Sequence, residues 1–240
     1  MNLGEILREG FRLIRLNIVS LLLFLLCTHI SLNLVRTLLA GTVTAEKYGE
    51  TTFSLTVLGI RWIEVFLTFI VLIGVPYIVE GLLQGQVVSL GNVFRFSFSR
   101  FWDVFWTSLF LGLITLGLTL LLVVPGIIWS NYYSFAIIIA ALRGTRTKTA
   151  FEYSKKLIQG QWWRIFGIYT AICIPAAVFN LSILALSRKV PDIKFLSIFA
   201  PLTIFNIIGV LTSVMVVVLF LNTEYVRDFQ RQNRGKTNRT

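Results

Sequence analysis

The sequence predicts an all-α integral membrane protein with six transmembrane helices and three amphipathic helices on the cytoplasmic side. Three observations predict this fold class. Of the 240 residues, 56% are hydrophobic and 14% are charged, whereas soluble domains carry about 25% charged residues. The mean hydropathy of +0.80 agrees with a surface that faces lipid. Six apolar segments are long enough to cross a bilayer, and the Lys and Arg residues between them concentrate on one side.

The six apolar segments define the predicted spans. A helix needs about 20 mostly apolar residues to cross the hydrocarbon core. The predicted spans cover residues 18–39, 62–79, 104–124, 127–142, 165–186 and 195–221. The start of the second is ambiguous, because residues 53–60 are also apolar and Arg61 and Glu64 interrupt the join. We expect one transmembrane domain over residues 1–222 and a basic cytoplasmic tail over residues 223–240.

The cationic residues predict the orientation. Sixteen Lys and Arg residues lie on one side of the predicted spans and six on the other, and the richer side is expected in the cytoplasm. An even number of spans then places both termini there. The N-terminal segment mixes Glu5 and Glu9 with three Arg residues and has no small-residue cleavage site. We therefore expect the first helix to remain in the mature protein.

The connection between the third and fourth spans, residues 123–127, carries no charge and contains Pro125 and Gly126. Such a short connection predicts an antiparallel hairpin, in which Pro125 ends one helix and Gly126 supplies backbone freedom for the return. The fourth span is short, which predicts little tilt or a locally thin bilayer.

Three cytoplasmic segments share one pattern, an apolar stripe at helical spacing with polar residues on the opposite face. Gly10, Ser97 and Ser154 occupy the same place in the three stripes, where a small residue lets two backbones approach closely. The stripes are Leu3, Ile6, Leu7, Gly10, Leu13 and Ile14; Leu90, Val93, Phe94, Ser97, Phe101 and Trp102; and Ala150, Phe151, Ser154, Leu157 and Ile158. This recurrence predicts three units, each an elbow helix followed by a helical hairpin.

The elbow helices and the residues around them carry cations that predict contact with anionic headgroups. A basic amphipathic helix gains about 1 kcal/mol for each Lys or Arg near an anionic membrane. The candidate headgroup contacts are Arg12, Arg15, Arg95, Arg100, Lys155, Lys156 and Arg164. Two interpretations stay open: the helices only anchor and orient the bundle, or a headgroup site lies between elbow and hairpin.

Pro, Gly, Ser and aromatic residues recur at fixed spacing over residues 125–167. They are Pro125, Gly126, Trp129, Tyr132, Phe151, Ser154, Gly160, Trp162 and Trp163, followed by Arg164. This pattern resembles the multi-span membrane domain associated with bacterial glycerophosphoryl diester phosphodiesterases and its stand-alone relatives. The resemblance implies a bacterial plasma-membrane location and lipid-related work. It implies no catalytic residue, because hydrolysis in the fused proteins belongs to a separate soluble domain.

The sequence offers no catalytic constellation. The only histidine, His29, lies within the first predicted span, and the 11 Asp and Glu residues show no metal-ligand spacing in an apolar segment. A Gly-rich phosphate loop and a nucleophile elbow are both missing. Cys27 and Cys173 lie far apart in apolar segments and predict neither a metal site nor a disulfide. We therefore expect no cofactor and lean against an enzyme.

Polar residues within or near the spans are candidates for a functional site, because polar groups are costly in hydrocarbon. The candidates are Glu80, Asn131, Asn180 and Asn206. Glu80 either faces a cavity beside the Pro76 kink or pairs with an elbow arginine, Arg95 or Arg100. The three amides either bond across helices or line one polar cleft.

The leading functional hypothesis is a non-enzymatic membrane protein that binds lipids, preferentially anionic ones, or acts as a scaffold for a protein partner or a second copy of itself. The alternative is a transporter or channel for small solutes or lipids, favoured by Pro76, Pro175 and Pro201 within three spans. A membrane-embedded enzyme on lipid substrates comes third. Beyond Gln230 no aromatic residue interleaves the basic residues of the tail, so we expect no nucleic acid partner.

Overall fold

The protein is helical along nearly all of the chain that the structure describes. A computed structural model describes residues 3–16, 23–24, 28, 33, 50–86, 88–187 and 194–237, and it contains no strand among them. The helices are α1 (Leu3–Leu16), α2 (Glu50–Leu83), α3 (Leu90–Leu121), α4 (Val123–Tyr132), α5 (Ala136–Arg143), α6 (Thr147–Ile158), α7 (Trp162–Ser187) and α8 (Lys194–Thr237).

Five segments of the described chain are long and apolar enough to cross a membrane. They are Leu58–Leu83, Leu90–Leu121, Val124–Arg143, Trp162–Ile183 and Thr203–Asp228. These segments correspond to the second to sixth predicted spans and agree with a multi-pass membrane protein. The first predicted span, residues 18–39, lies outside the described residues except at four positions. Helix α2 begins at Glu50, so the ambiguous segment 53–60 belongs to the same helix as the second span.

The second predicted elbow is not a separate helix. It forms the first turns of α3, which runs from Leu90 to Leu121 without interruption. Ser89 caps this helix by accepting a hydrogen bond from the Asn92 N–H at 3.4 Å. Because the segment contains no proline, nothing in it breaks the backbone hydrogen-bond ladder before the membrane.

The turn between α3 and α4 is a single residue, and it precedes the connection that the sequence predicted at residues 123–127. Leu122 alone adopts an extended conformation, and Pro125 lies in the first turn of α4, where its missing N–H costs no helical hydrogen bond. Gly126 serves close packing, because a Cβ there would lie 2.7 Å from Thr119 Oγ1 and 3.2 Å from Thr119 Cα. Its role is therefore to let α4 approach α3.

The fourth span is broken. Helix α4 ends at Tyr132, residues 133–135 form a turn, and α5 begins at Ala136. The Tyr132 carbonyl accepts a hydrogen bond from Ser154 Oγ of α6 at 2.8 Å. A backbone group freed by a break in hydrocarbon needs such a partner, so α6 stabilises the break.

The other two small residues of the repeated pattern also lie at close helix contacts. Gly10 of α1 is buried against α8, where a Cβ would lie 3.2 Å from Met215 Cγ. Ser97 of α3 is fully buried and donates a hydrogen bond to the Ile70 carbonyl of α2 at 3.3 Å. All three positions thus join a predicted elbow segment to a different helix, as their shared place in the stripes predicted.

Three helices form the centre of the bundle: α5, α8 and the C-terminal half of α2. Helix α2 packs against both α5 and α8, and the Phe135 and Phe220 rings meet with centroids 5.5 Å apart beside α5 and α8. Six of the eight residues of α5 are buried, as expected for a helix that is apolar on all sides. Helices α1, α3, α6 and α7 contact these central helices, and α4 packs against α3, α6 and α7.

Candidate functional site

One arginine and two glutamates join the ends of the three central helices. Arg143, the last residue of α5, donates from Nη1 to Glu80 Oε1 of α2 at 2.7 Å and from Nη2 to Glu224 Oε2 of α8 at 2.6 Å. Its Nε also donates to Glu224 Oε1 at 3.3 Å. The two carboxylate side chains are 18% and 11% exposed. We call these three residues the central ion network; its fork geometry suits a planar guanidinium.

The predicted pairing of Glu80 with Arg95 or Arg100 is wrong, because its carboxylate bonds to Arg143. The two residues are 63 positions apart in the chain, and only the packing of α2 against α5 brings them together. Arg95 is exposed on α3, and the Arg100 guanidinium lies beside Asp103.

Tyr153 of α6 extends the central ion network by donating its hydroxyl to Glu224 Oε1 at 2.7 Å. Burial, and then the hydrogen bond to Glu224, raises the pKa of Tyr153 to about 12. A groove of about 410 Å³ beside the network is lined by Glu9, Glu80, Glu224 and Asp228 among others. The carboxylates make this groove a poor site for an anionic ligand.

A second ion cluster fixes the connection between α5 and α6. Asp103 of α3 is 7% exposed and accepts a hydrogen bond from Arg146 Nε, and Arg100 Nη1 lies 3.7 Å from its other oxygen. The Thr147 N–H donates to Thr107 Oγ1 at 3.0 Å. Arg100, predicted as a headgroup contact, therefore lies within a cluster that neutralises a buried carboxylate.

The other predicted headgroup contacts are exposed but do not form one patch. Arg12 lies on α1 with Nη1 3.3 Å from Glu9 Oε1, and Arg15 is on the same helix. The structure places the last three on consecutive elements. Lys155 and Lys156 are on the exposed face of α6, and Arg164 is in the first turn of α7.

An apolar groove of about 450 Å³ lies between α4 and α7. Lys155 lies beside it, whereas Arg164 lines a smaller pocket between α7 and α8. The groove is lined by Val124, Ile127, Ile128, Tyr132, Trp162, Trp163 and Phe166. Trp162 stacks on Phe166 with ring centroids 5.0 Å apart, and Trp163 is 78% exposed. Lys155 Nζ lies 4.8 Å from the centroid of the Trp129 ring. The Trp129 ring contacts the Tyr132 ring, which forms one wall of the groove. We call this feature the aromatic groove.

A neighbouring cleft of about 460 Å³ lies between α3, α4 and α7 and shares Ile127 and Phe166 with the aromatic groove. Asn131 lines this cleft. Asn131 Nδ2 donates to the Trp162 carbonyl at 3.3 Å, so this amide does bond across helices. Asn180, on α7, and Asn206, on α8, are half-buried and are not among the described residues that line this cleft. The three amides therefore do not share this cleft.

Within the described ranges, no group of three or more His, Cys, Asp or Glu side chains could hold a metal ion. Comparison of the chain with protein-family models, curated proteins and solved structures finds no match. The resemblance over residues 125–167 stays a prediction, and function is argued from the geometry.

Sequence reasoning missed Asp103, Arg143 and Glu224. A signal existed for Asp103, which is a single carboxylate between Trp102 and Val104 at the start of a long apolar segment. Arg143 and Glu224 follow the C-terminal ends of apolar segments, where charged residues ordinarily face water. No local feature distinguishes them from such solvated residues.

Proposed function

We propose that the protein is a non-enzymatic scaffold of the bacterial plasma membrane that binds anionic lipids on its cytoplasmic side. The observation that carries this proposal is the aromatic groove between α4 and α7, next to the exposed cations of α6. In this proposal both termini are cytoplasmic, and α1 and α6 lie as elbows at the inner headgroup level. The family resemblance over residues 125–167 agrees with lipid-related work.

The groove and the cations would act on different parts of one lipid. An acyl chain that enters the aromatic groove exchanges one apolar surface for another, so it gains little free energy over bulk lipid. The headgroup supplies the selectivity instead. Lys155, Lys156 and Arg164 contribute about 1 kcal/mol each beside an anionic group. Their sum corresponds to roughly 100-fold enrichment of anionic over neutral lipid.

The helix packing also supports three repeated units. The second elbow contacts α2 through Ser97, and the third contacts α4 through Ser154. Gly10 of the first elbow contacts α8, the last helix. We call the second helix of each hairpin the closing helix of its unit. The second and third elbows each pack on the closing helix of the preceding unit. The first elbow packs on the closing helix of the third unit. Such a ring joins its three closing helices at the central ion network and leaves the outer faces for lipid.

Co-purifying lipid tests the proposal. The variant Lys155→Gln/Lys156→Gln/Arg164→Gln is purified in mild detergent, and its bound lipids are quantified by mass spectrometry. We expect the ratio of phosphatidylglycerol and cardiolipin to phosphatidylethanolamine to fall at least tenfold. The matched control Arg231→Gln/Arg234→Gln/Lys236→Gln removes the same charge from the tail and should change the ratio less than twofold. A wild-type protein with no enrichment of anionic lipid contradicts the proposal.

A second candidate function, transport, is favoured by the break at residues 133–135. Broken helices form substrate sites in many transporters, because their free backbone groups face the substrate. Here Ser154 already occupies the Tyr132 carbonyl, which favours the lipid-binding proposal. Protein-dependent swelling of proteoliposomes in glycerol would support transport. Unchanged permeability together with anionic lipid enrichment would support the scaffold.

A further inference from the structure

The cleft between α3, α4 and α7, which we call the amide cleft, has the features of a binding site. Its volume of about 460 Å³ lies within the range of about 300–1,000 Å³ typical of small-molecule pockets. Asn131 is 6% exposed and held by its bond to the Trp162 carbonyl, while its Oδ1 has no hydrogen-bond partner among the described residues. Ser134 Oγ, which also lines the cleft, is buried without a partner as well. Two buried oxygens without a partner among the described residues favour a polar occupant of the cleft.

Hydroxyl groups surround these two oxygens. Thr115 and Thr119 of α3, Ser130 of α4 and Thr170 of α7 line the same cleft. Thr119 donates its hydroxyl to the Thr115 carbonyl at 2.7 Å, so its lone pairs remain as acceptors. No Asp, Glu, Lys, Arg or His residue lines the cleft within the described part of the chain. A charged ligand would lose its hydration there without a counter-charge, so the cleft selects a neutral one.

The position of the cleft indicates how a ligand reaches it. The cleft extends along α7 from Phe166 to Ile174, about 12 Å at about 1.5 Å per residue. Its polar end lies at Asn131, at the level of the Trp162 carbonyl. Ile127 and Ile174 also line the cleft and are 48% and 56% exposed. The cleft therefore opens on the surface of the described bundle, where lipid is the solvent, and its ligand is an amphiphile.

We propose that the amide cleft binds a neutral lipid with a free hydroxyl group, of the diacylglycerol class. The ligand hydroxyl donates to Asn131 Oδ1 and accepts from the Ser134 hydroxyl, and its acyl chains lie against Ile127 and Ile174. This site shares Ile127 and Phe166 with the aromatic groove, and it differs from that groove in its polar lining and in the charge of its ligand. It stands independently of the scaffold proposal, because no cation of α6 takes part in it.

Photolabelling tests this site. The protein in phosphatidylcholine nanodiscs is exposed to a diacylglycerol that carries a diazirine in one acyl chain, and cross-links are mapped by mass spectrometry. We expect cross-links within residues 111–119 and 169–174, which contain residues that line the amide cleft and none that line the aromatic groove. Dioleoylglycerol should compete with the probe, whereas its acetate ester, which lacks the donor, should not. Equal competition by the ester means that acyl chains alone fill the cleft, and it overturns the proposal.

Three variants separate recognition from folding. Asn131→Leu and Ser134→Ala should each lower competable labelling about fivefold, the effect of one lost hydrogen bond. Ser134→Ala leaves the bond to the Trp162 carbonyl in place, so it tests recognition even if Asn131→Leu unfolds the helix break. Asn180→Leu removes an amide of α7 outside the cleft and should label like the wild type. Labelling unchanged in Ser134→Ala, or cross-links only outside the two ranges, overturns the proposal.

Discussion

Replacing Arg143 with leucine should destabilise the protein by about 2–3 kcal/mol. The change leaves Glu80 and Glu224 close together, mostly buried and without their shared counter-charge. Breaking a buried ion pair by removing one partner costs about 3–5 kcal/mol. The expected cost of about 2–3 kcal/mol lies at or below the low end of this range, because the Arg143 side chain is 37% exposed and water screens part of the interaction. With about 2–4 °C per kcal/mol for a chain of this size, the melting temperature should fall by about 4–12 °C.

The measurement is unfolding of the detergent-purified protein, by heat and by titration with a denaturing detergent. Lys148→Leu is the control, because Lys148 is 90% exposed and lies 4.0 Å from Glu152; it should change stability by less than about 0.5 kcal/mol. Adding Glu80→Gln and Glu224→Gln to Arg143→Leu should recover part of the loss, since the repulsion disappears. An Arg143→Leu variant as stable as the control, or a triple variant no more stable than Arg143→Leu, refutes the reasoning.

Three further predictions follow from the packing. Gly126→Val should lower the free energy of unfolding by about 1–3 kcal/mol, because the valine side chain would meet the α3 backbone. Gly117→Ala is the control and should not destabilise the protein, because the space at its Cβ is open. Thermal unfolding compares the two variants. Ser154→Val should lower the free energy of unfolding by about 1–3 kcal/mol, because it leaves the Tyr132 carbonyl at the helix break unpaired. Amide hydrogen exchange at residues 132–136 should then increase. Unchanged exchange would contradict this explanation. Tyr153 has a pKa raised to about 12 from an ordinary value near 10, so its neutral form is the one that stabilises the fold; that contribution is complete below pH 10 and is lost as the pH rises to 12. The difference in melting temperature between wild type and Tyr153→Phe should therefore shrink between pH 10 and 12, and a constant difference would contradict the assignment.

The third predicted elbow shows how well a local pattern predicts packing. The sequence assigned Ala150, Phe151, Ser154, Leu157 and Ile158 to one stripe, and these are the buried residues of α6. The shared place of Gly10, Ser97 and Ser154 similarly predicted three close helix contacts. Both predictions succeeded because helical periodicity fixes which side chains share a face, whatever the partner is.

The fourth span shows where such reasoning fails. Residues 127–142 are uniformly apolar enough to predict one helix, yet the chain turns at residues 133–135. The turn is tolerated because Ser154, 22 positions away, bonds to the freed carbonyl. Hydropathy measures the preference of a segment for lipid and carries no information about that distant partner.

The sequence by itself determined that the chain is an apolar, multi-pass helical protein, since transfer into lipid depends on composition and segment length. It also identified Glu80 and Asn131 as costly polar groups. Only the tertiary structure decided their partners, Arg143 for the carboxylate and the Trp162 carbonyl for the amide. Ion pairs and hydrogen bonds act over a few ångströms between residues far apart in the chain, so helix packing selects them.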